Sequence, residues 1–323
     1  MSSIKVSAPA KLMLFGEHSV VHNHPCIVTA VDQRLYLEAE KIIEPTFVLD
    51  APQIGIKNYT KPIVKLRKNP IKPGAAFVEF AVSNFLRSHK QLGGIRIKTK
   101  SNFSSKFGFG SSSAAAVATI AALSKLYNVA LTKKQIFDLA YMTVLDVQRA
   151  GSGFDVAAAV YGGTIYFTTG GKQIIPLKIT SLPLIVGYTG IKASTTQILH
   201  QTEEKEKKYP KLITTIYKNI EEIVDEAKTA LEKKNWKNVG DLMNINQGYL
   251  EALGVSSPKL SAMIYAAREA GAYGAKLSGA GVGDCMIALG NHNSKFIIQN
   301  SIKGTGGQII NVKVNEPGVR VEK

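Results

Sequence analysis

The sequence predicts a globular chain of mixed helices and strands, built as two moderate domains or as one large α/β body. Its 323 residues exceed what one minimal domain needs. Segments with apolar residues at every second position alternate with segments in which they recur at three and four. From about residue 180 the texture changes and long amphipathic helices begin, which puts a boundary near 175–185 and divides the chain into 1–180 and 181–323.

In chain order, 6–15 reads as short strands around a proline turn, and 26–40 as a strand in which Leu35 and Leu37 alternate with Tyr36 and Glu38. Pro45, Pro52, Pro62, Pro70 and Pro73 mark 45–73 as irregular or edge structure. A helix over 75–89 carries Val78, Ala81, Val82 and Phe85 on one stripe, and Ile95 and Ile97 alternate with Arg96 and Lys98 in a half-exposed strand. An Ala-rich helix follows over 112–127, a second over 133–149 and a short one over 154–161, which Gly162-Gly163 stops before a strand at 164–168. Beyond the boundary come a strand at 184–188 and a helix with Ile213, Ile216, Ile220, Ile223, Ala227 and Leu231 on one face. Helices over 237–252 and 258–270, a strand at 285–289 and two final strands complete the chain.

With 45% hydrophobic and 20% charged residues the chain has the apolar mass for a core, which excludes a disordered tail. No run of about 18 uninterrupted apolar residues exists, so no membrane span is expected. Met1-Ser2-Ser3-Ile4-Lys5 lacks the apolar centre of a secretory leader, and the expected location is cytoplasmic. Cys26 and Cys285 have neither a disulfide framework nor metal spacing. The net charge is +16, and residues 1–100 hold 15 basic and 7 acidic side chains, 101–200 hold 8 and 3, and 201–323 hold 17 and 14. No acid lies between Asp50 and Glu79, where Lys57, Lys61, Lys65, Arg67, Lys68 and Lys72 cluster. Such a field attracts polyanions, ATP and phosphorylated metabolites among them; a solvated Lys-rich surface is the plainer reading and the favoured one. Nucleic acid ranks below both, because no aromatic-interleaved basic strand is present.

The strongest local signal is Gly108-Phe109-Gly110-Ser111-Ser112-Ser113 followed by three alanines. Glycines let the backbone turn sharply beside a ligand. The free N–H groups of a helix start, with its dipole, make an anion site. Serine hydroxyls there can donate to phosphate or ligate Mg²⁺. An ordinary capped core helix is the alternative, but three serines exceed what one cap needs. The pattern is neither a Walker A loop nor a dinucleotide fingerprint, since no Gly-Lys-Ser/Thr follows and Ser113 stands where a third glycine would. A second glycine turn, 278–284, lies between a helix and a strand; alone it is weak, but two such loops suit a ligand gripped from two domains. In Gly151-Ser152-Gly153-Phe154-Asp155 the acid is either a helix-dipole partner or a base that accepts a hydroxyl proton. His18, His22 and His24 cluster, but no Cys or distant acid completes a metal set, and His22-Asn23-His24-Pro25 reads as an exposed turn.

The segment from Ala8-Pro9-Ala10-Lys11 to Val20-Val21, the 108–116 loop, and Lys276-Leu277-Ser278-Gly279-Ala280-Gly281 resemble, in order, the three motifs of the GHMP small-molecule kinases. Within that family the pattern is most similar to the archaeal enzymes that act on mevalonate, through Phe15-Gly16-Glu17-His18, Asn246-Gln247-Gly248 and Gly271-Ala272-Tyr273-Gly274-Ala275-Lys276. The resemblance spans nearly the whole chain. It implies an α+β fold of two domains, an ATP-binding one over 1–180 and an α+β one over 181–323, with the active site in the cleft between them. It implies transfer of the ATP γ-phosphoryl to the 5-hydroxyl of mevalonate with Mg²⁺. Lys11 and Asp155 are then the catalytic pair; Gly108, Gly110, Ser111, Ser112 and Lys106 serve the phosphates, with Ser112 also on the metal. Glu17, His18, Thr195, Gly279 and Ala280 fall on the substrate side. ATP and mevalonate are the implied partners, with a homodimer admitted and neither nucleic acid nor membrane.

Some positions depart from the family pattern. Ser104 and Phe109 replace a proline and a leucine of the phosphate loop, and Val144 stands where the family has a metal-binding glutamate. Asp146 is about 200° further around that helix, which points it elsewhere, to Arg149 or solvent. The 151–159 segment and Asp284 are more similar to phosphomevalonate kinases, whose substrate needs added cations such as Lys106, Arg149 or Lys192. A phosphomevalonate kinase, or another kinase of the superfamily, is the runner-up, and a non-catalytic metabolite-binding relative ranks after it.

Overall fold

In the computed structural model, which describes residues 3–89 and 93–322, two long strands form the spine of an eight-stranded sheet. They are β1 (Ile4–Phe15) and β2 (Pro25–Ile42). The expected proline turn is absent. Pro9 lies inside one continuous strand, and its missing donor is absorbed by a register shift between Pro9 and Ala10. β1 is buried from Val6 onward because both its faces are covered, which erases the alternation that marks a half-exposed strand.

The region 45–73 is more ordered than its prolines suggest. β3 (Thr46–Ala51) and β4 (Ile56–Pro62) pair there, and Pro45, Pro52 and Pro62 sit at strand ends, where a missing N–H costs no ladder bond. β5 (Gly94–Ser101) lies parallel to β3 and antiparallel to β2. β6 (Thr164–Thr168) joins the early part of β2, and β7 (Ile174–Pro176) joins β6.

On this sheet pack α1 (Ala76–His89), α2 (Ser111–Leu126), α3 (Lys133–Gln148) and α4 (Phe154–Tyr161). α2 lies against β1 and β2. Ala114, Ala116, Ala118 and Ala122 are fully buried, so small side chains bring the helix start close to the sheet that carries Lys11.

A second, antiparallel sheet has the order β11 (Gln308–Ile310), β8 (Leu184–Tyr188), β10 (Cys285–Leu289), β9 (Gly274–Ser278). Against it lie α7 (Trp236–Leu253), α8 (Pro258–Glu269) and α9 (Lys295–Gly304). α5 (Thr195–Lys208) leads into α6 (Pro210–Glu232), which reaches back to β1 and β2 with Ile213, Ile220, Ile223, Ala227 and Leu231 buried. The periodicity reading omitted α5 and α9. α5 buries Ile198 and Thr202 and α9 buries Ile298 and Ile302, one pair each, too few for a stripe.

The tail crosses back: β12 (Arg320–Val321) pairs with β1, and buried Arg34 donates to the carbonyls of Pro317 and Gly318. A cut at 180 would thus leave the last strand of the first sheet with the second. The architecture is α+β in two sheet-bearing parts, not one α/β body. Among the described residues no helix is long and apolar enough to cross a membrane. Met1 and Ser2, in the segment read for a leader, lie outside the described residues.

Candidate active site

Lys11 stands in β1 with its side chain almost wholly buried. Its ammonium donates to the Gly108 carbonyl at 3.1 Å and lies 3.6 Å from Asp155 Oδ1. Its peptide N–H donates to the Phe109 carbonyl, also at 3.1 Å, so strand and glycine loop are tied together. Gly110 is the left-handed N-cap of α2 (φ 77°) and supplies no side-chain cap. The first N–H groups of α2 therefore face a ligand position without a competing side-chain acceptor. A Cβ at Gly110 would meet Lys11 Cε at 3.2 Å and Asp155 Cβ at 3.6 Å, so the glycine leaves the room that both side chains use. Ser111 and Ser112 are half-buried in that first turn. Asp155 opens α4 behind Gly153, itself left-handed at φ 92°. Its side chain is 31% exposed, while Oδ1 is buried with no hydrogen-bond donor. A carboxylate half in solvent, held beside an ammonium and under a helix start, can take a proton from a hydroxyl that approaches a bound phosphate.

The second glycine turn meets β1 from the other sheet. Ser278 Oγ donates to the Met13 carbonyl at 2.8 Å and accepts from its N–H at 3.2 Å. His18 Nε2–H donates to the Ala280 carbonyl at 2.9 Å, which leaves Nδ1 buried without a partner. Burial holds the His18 pKa down at about 4, so the ring is neutral at physiological pH. Glu17 has no exposed side-chain surface; its Oε1 accepts from Lys276 Nζ, which also donates to the Leu277 carbonyl at 2.7 Å. Burial pushes Glu17 up and Lys276 down, and their mutual attraction opposes both shifts. The Glu17 carboxylate, on the acceptor side by resemblance, thus faces Lys276 and no solvent. Gly279 and Ala280 are half-buried at the turn, and Thr195 is exposed at the first position of α5. Lys106 is exposed two residues before Gly108.

Several expectations change. Asp146 does not pair with Arg149: half-buried, it accepts from Arg67 Nη2 at 3.1 Å and Asn84 Nδ2 at 3.0 Å. Val144 is buried, so neither residue offers α3 an acid for a metal. In the turn 22–25 Asn23 is exposed, but His22 and His24 are half-buried. His22 stacks on Tyr217 with ring centroids 4.3 Å apart, and His24 Nδ1 lies 2.5 Å from Glu221 Oε2, both against α6. Part of the basic segment is structural rather than solvated. Lys61 is buried on Glu79 at 2.8 Å and Arg67 is held by Asp146, whereas Lys57, Lys65, Lys68 and Lys72 are exposed. Among the described residues no group of three or more His, Cys, Asp or Glu is placed to hold a metal. Sequence reasoning missed the Glu17–Lys276 pair. Its signal was present, since a lysine between Ala275 and Leu277 in an apolar strand needs a buried partner.

The model described as GHMP kinases N terminal domain matches residues 76–163, and that described as GHMP kinases C terminal matches 227–307. The first spans the phosphate loop and Asp155, and the second spans the second glycine turn. A mevalonate kinase of Pyrococcus abyssi is 36% identical over 331 residues, covering 99% of this chain and 98% of the relative. A solved structure of a Listeria innocua protein superposes with a TM-score of 0.89 at 25% identity and 100% coverage of both chains. That of the Methanococcus jannaschii mevalonate kinase does so at 0.82 and 25%, covering 98% of this chain and 99% of the other. The chain belongs to the GHMP kinases, on the branch formed by the mevalonate kinases.

Proposed function

We propose that the protein transfers the γ-phosphoryl group of ATP to the 5-hydroxyl of mevalonate. The observation that carries the reaction type is the Lys11 ammonium, held between the carbonyl of the phosphate loop and the carboxylate of Asp155. In this reading the first turn of α2 cradles the β- and γ-phosphates with its N–H groups and serines. Asp155 accepts the proton of the 5-hydroxyl as its oxygen bonds to the γ-phosphorus and the bond to the ADP leaving oxygen breaks. Lys11 offsets the charge on the transferred group. Such chemistry asks for alignment and charge neutralisation more than for covalent steps.

Mg²⁺ fits these residues as a nucleotide-borne ion. The Ser112 hydroxyl lies at the helix start, Asp155 is a partly exposed carboxylate beside Gly110, and α3 supplies none. Bound there, the ion would be held by phosphate oxygens, Ser112 and water, and it would neutralise phosphate charge. The acceptor site is bounded by His18, the 279–280 turn and Thr195, with Glu17 buried on Lys276 in the strand that leads into that turn. Mevalonate is favoured as acceptor by the full-length likeness to mevalonate kinases. The 151–159 segment and Asp284 favour 5-phosphomevalonate instead. Side-by-side kcat/KM on the two acceptors tests the choice. We expect mevalonate to be preferred; a tenfold preference for 5-phosphomevalonate, about 1.4 kcal/mol of transition-state binding, reverses it. Absence of phosphorylated product from either acceptor overturns the kinase reading.

A further inference from the structure

Asp284 has no part in the scheme above, yet it contacts two of the segments around the site, the 108–110 loop and residues 189–193. It ends the second glycine turn in a left-handed conformation (φ 53°) and is 5% exposed. A non-glycine residue in that region is uncommon, and a buried carboxylate there asks for a reason. One side of the carboxylate faces the phosphate loop so closely that a Cβ added to Gly108 would fall on it. On the other side Oδ1 accepts from the Ala193 N–H at 2.9 Å. The Asp284 backbone continues the same tie, donating to the Ile191 carbonyl at 2.8 Å and accepting from Thr189 N–H at 2.9 Å. The next residue, Cys285, donates its thiol to the Phe107 carbonyl at 3.3 Å. Residues 189–194 lead into α5, whose first residue is Thr195.

We infer that Asp284 is a positioning residue that couples the nucleotide loop to the acceptor-side loop 189–195. The deduction rests on the kinase reading above and on charge. Burial disfavours the Asp284 carboxylate, and three groups support it: the Ala193 N–H first, then Lys11, then Lys192. Lys11 is shared, because the same ammonium also faces Asp155 and Gly108. A triphosphate on the loop draws the field of Lys11 toward itself. Asp284 must then lean harder on the Ala193 N–H and on Lys192, both in the loop that precedes Thr195. Nucleotide binding thereby orders the start of α5, and by reciprocity the acceptor tightens the nucleotide. The charge is essential to this coupling, whereas the hydrogen bond alone is not.

Hydrogen exchange and calorimetric binding test the inference. In the wild-type protein, Mg-ADP should slow exchange across 191–195 several-fold, and mevalonate should tighten Mg-ADP by roughly fivefold or more, within the usual range of coupling. Asp284→Asn keeps an acceptor for the Ala193 N–H and removes the charge. It should retain near wild-type thermal stability while both effects fall within twofold of none. Asp284→Ala should lose the coupling and stability together. If Asp284→Asn keeps the wild-type coupling, or if both ligands bind the wild type without influencing each other, the inference fails. If Mg-ADP does not bind the wild type at all, the kinase reading fails first, which keeps the two failures distinct.

Discussion

The glycine turn at 108–112 runs into a helix, and the one at 278–284 runs into a strand; that difference sets what each can offer. The first ends on the N-terminus of α2 with no side-chain cap, so its donors point at whatever binds. The second is committed to the protein. Ser278 is on Met13, the Ala280 carbonyl on His18, and Asp284 on Ala193 and against Gly108. Similar composition therefore serves opposite ends, an uncapped helix start, which we propose as the anion cradle, in one case and a clasp across the two sheets in the other. The charges follow suit. Asp155 near the first turn is 31% exposed, whereas Glu17 and Lys276 beneath the second have no exposed side-chain surface.

The comparison breaks most sharply at Asp155. Asp155→Asn should lower kcat by roughly 10²–10⁴-fold with the far-ultraviolet spectrum and melting temperature unchanged, because the group does chemistry and little packing. A near-normal kcat would remove the first turn from the active site. At the clasp the loss should be one of stability. Lys276→Met strands the Glu17 carboxylate and should cost about 3–5 kcal/mol in urea unfolding. The double variant with Glu17→Met should recover most of that, since neither side chain then buries a charge or an unpaired polar group. If the double variant is no more stable than the single, the pair is not the clasp described here.

A third test uses pH. The folded His18 takes up its proton only near pH 4, while the unfolded chain takes it up near 6.5. The unfolded state binds more protons between those values, so stability should fall as pH drops through that window, by roughly 3 kcal/mol when complete. Unfolding free energies at pH 7 and pH 4.5 for the wild type and for His18→Gln should show that acid loss in the former and less of it in the latter. The smallest effect is expected at Gly110→Ala. A left-handed φ and a contact with Lys11 should cost about 1–2 kcal/mol, read as a higher KM for ATP with a modest fall in kcat. An unchanged KM would mean that the first turn tolerates a side chain where a phosphate is expected.

Much of this was legible in one dimension. The helices at 75–89, 112–127, 133–149 and 154–161 fall within a residue or so of α1 to α4, because local periodicity and glycine stops define them. The strands at 164–168, 184–188 and 285–289 coincide with β6, β8 and β10. Regions whose order comes from partners were not legible. β3 and β4 are proline-flanked and stable only as a pair beside β5, and α5 and α9 each bury a single turn's pair of side chains. Pro9 reads as a turn in any local rule and is carried through a strand by the neighbours of β1.

For the site, the sequence alone offered candidate groups: the glycine-serine helix start and the acid after Gly-Ser-Gly stand out as such, whereas the pairing of Lys11 with Asp155 for phosphoryl transfer comes from the resemblance to the GHMP kinases. Local backbone preference and residue type fix those features, and both are written in neighbouring residues. Only the tertiary structure decided which charges stand free and which are spent. Lys11 lies 97 positions from the carbonyl it bonds, and Lys276 lies 259 positions from Glu17. Asp146, a candidate acid by proximity in sequence, is consumed by Arg67 and Asn84. A charge acquires its role from what is within a few ångströms of it and from how much water remains, and neither quantity is local in the chain.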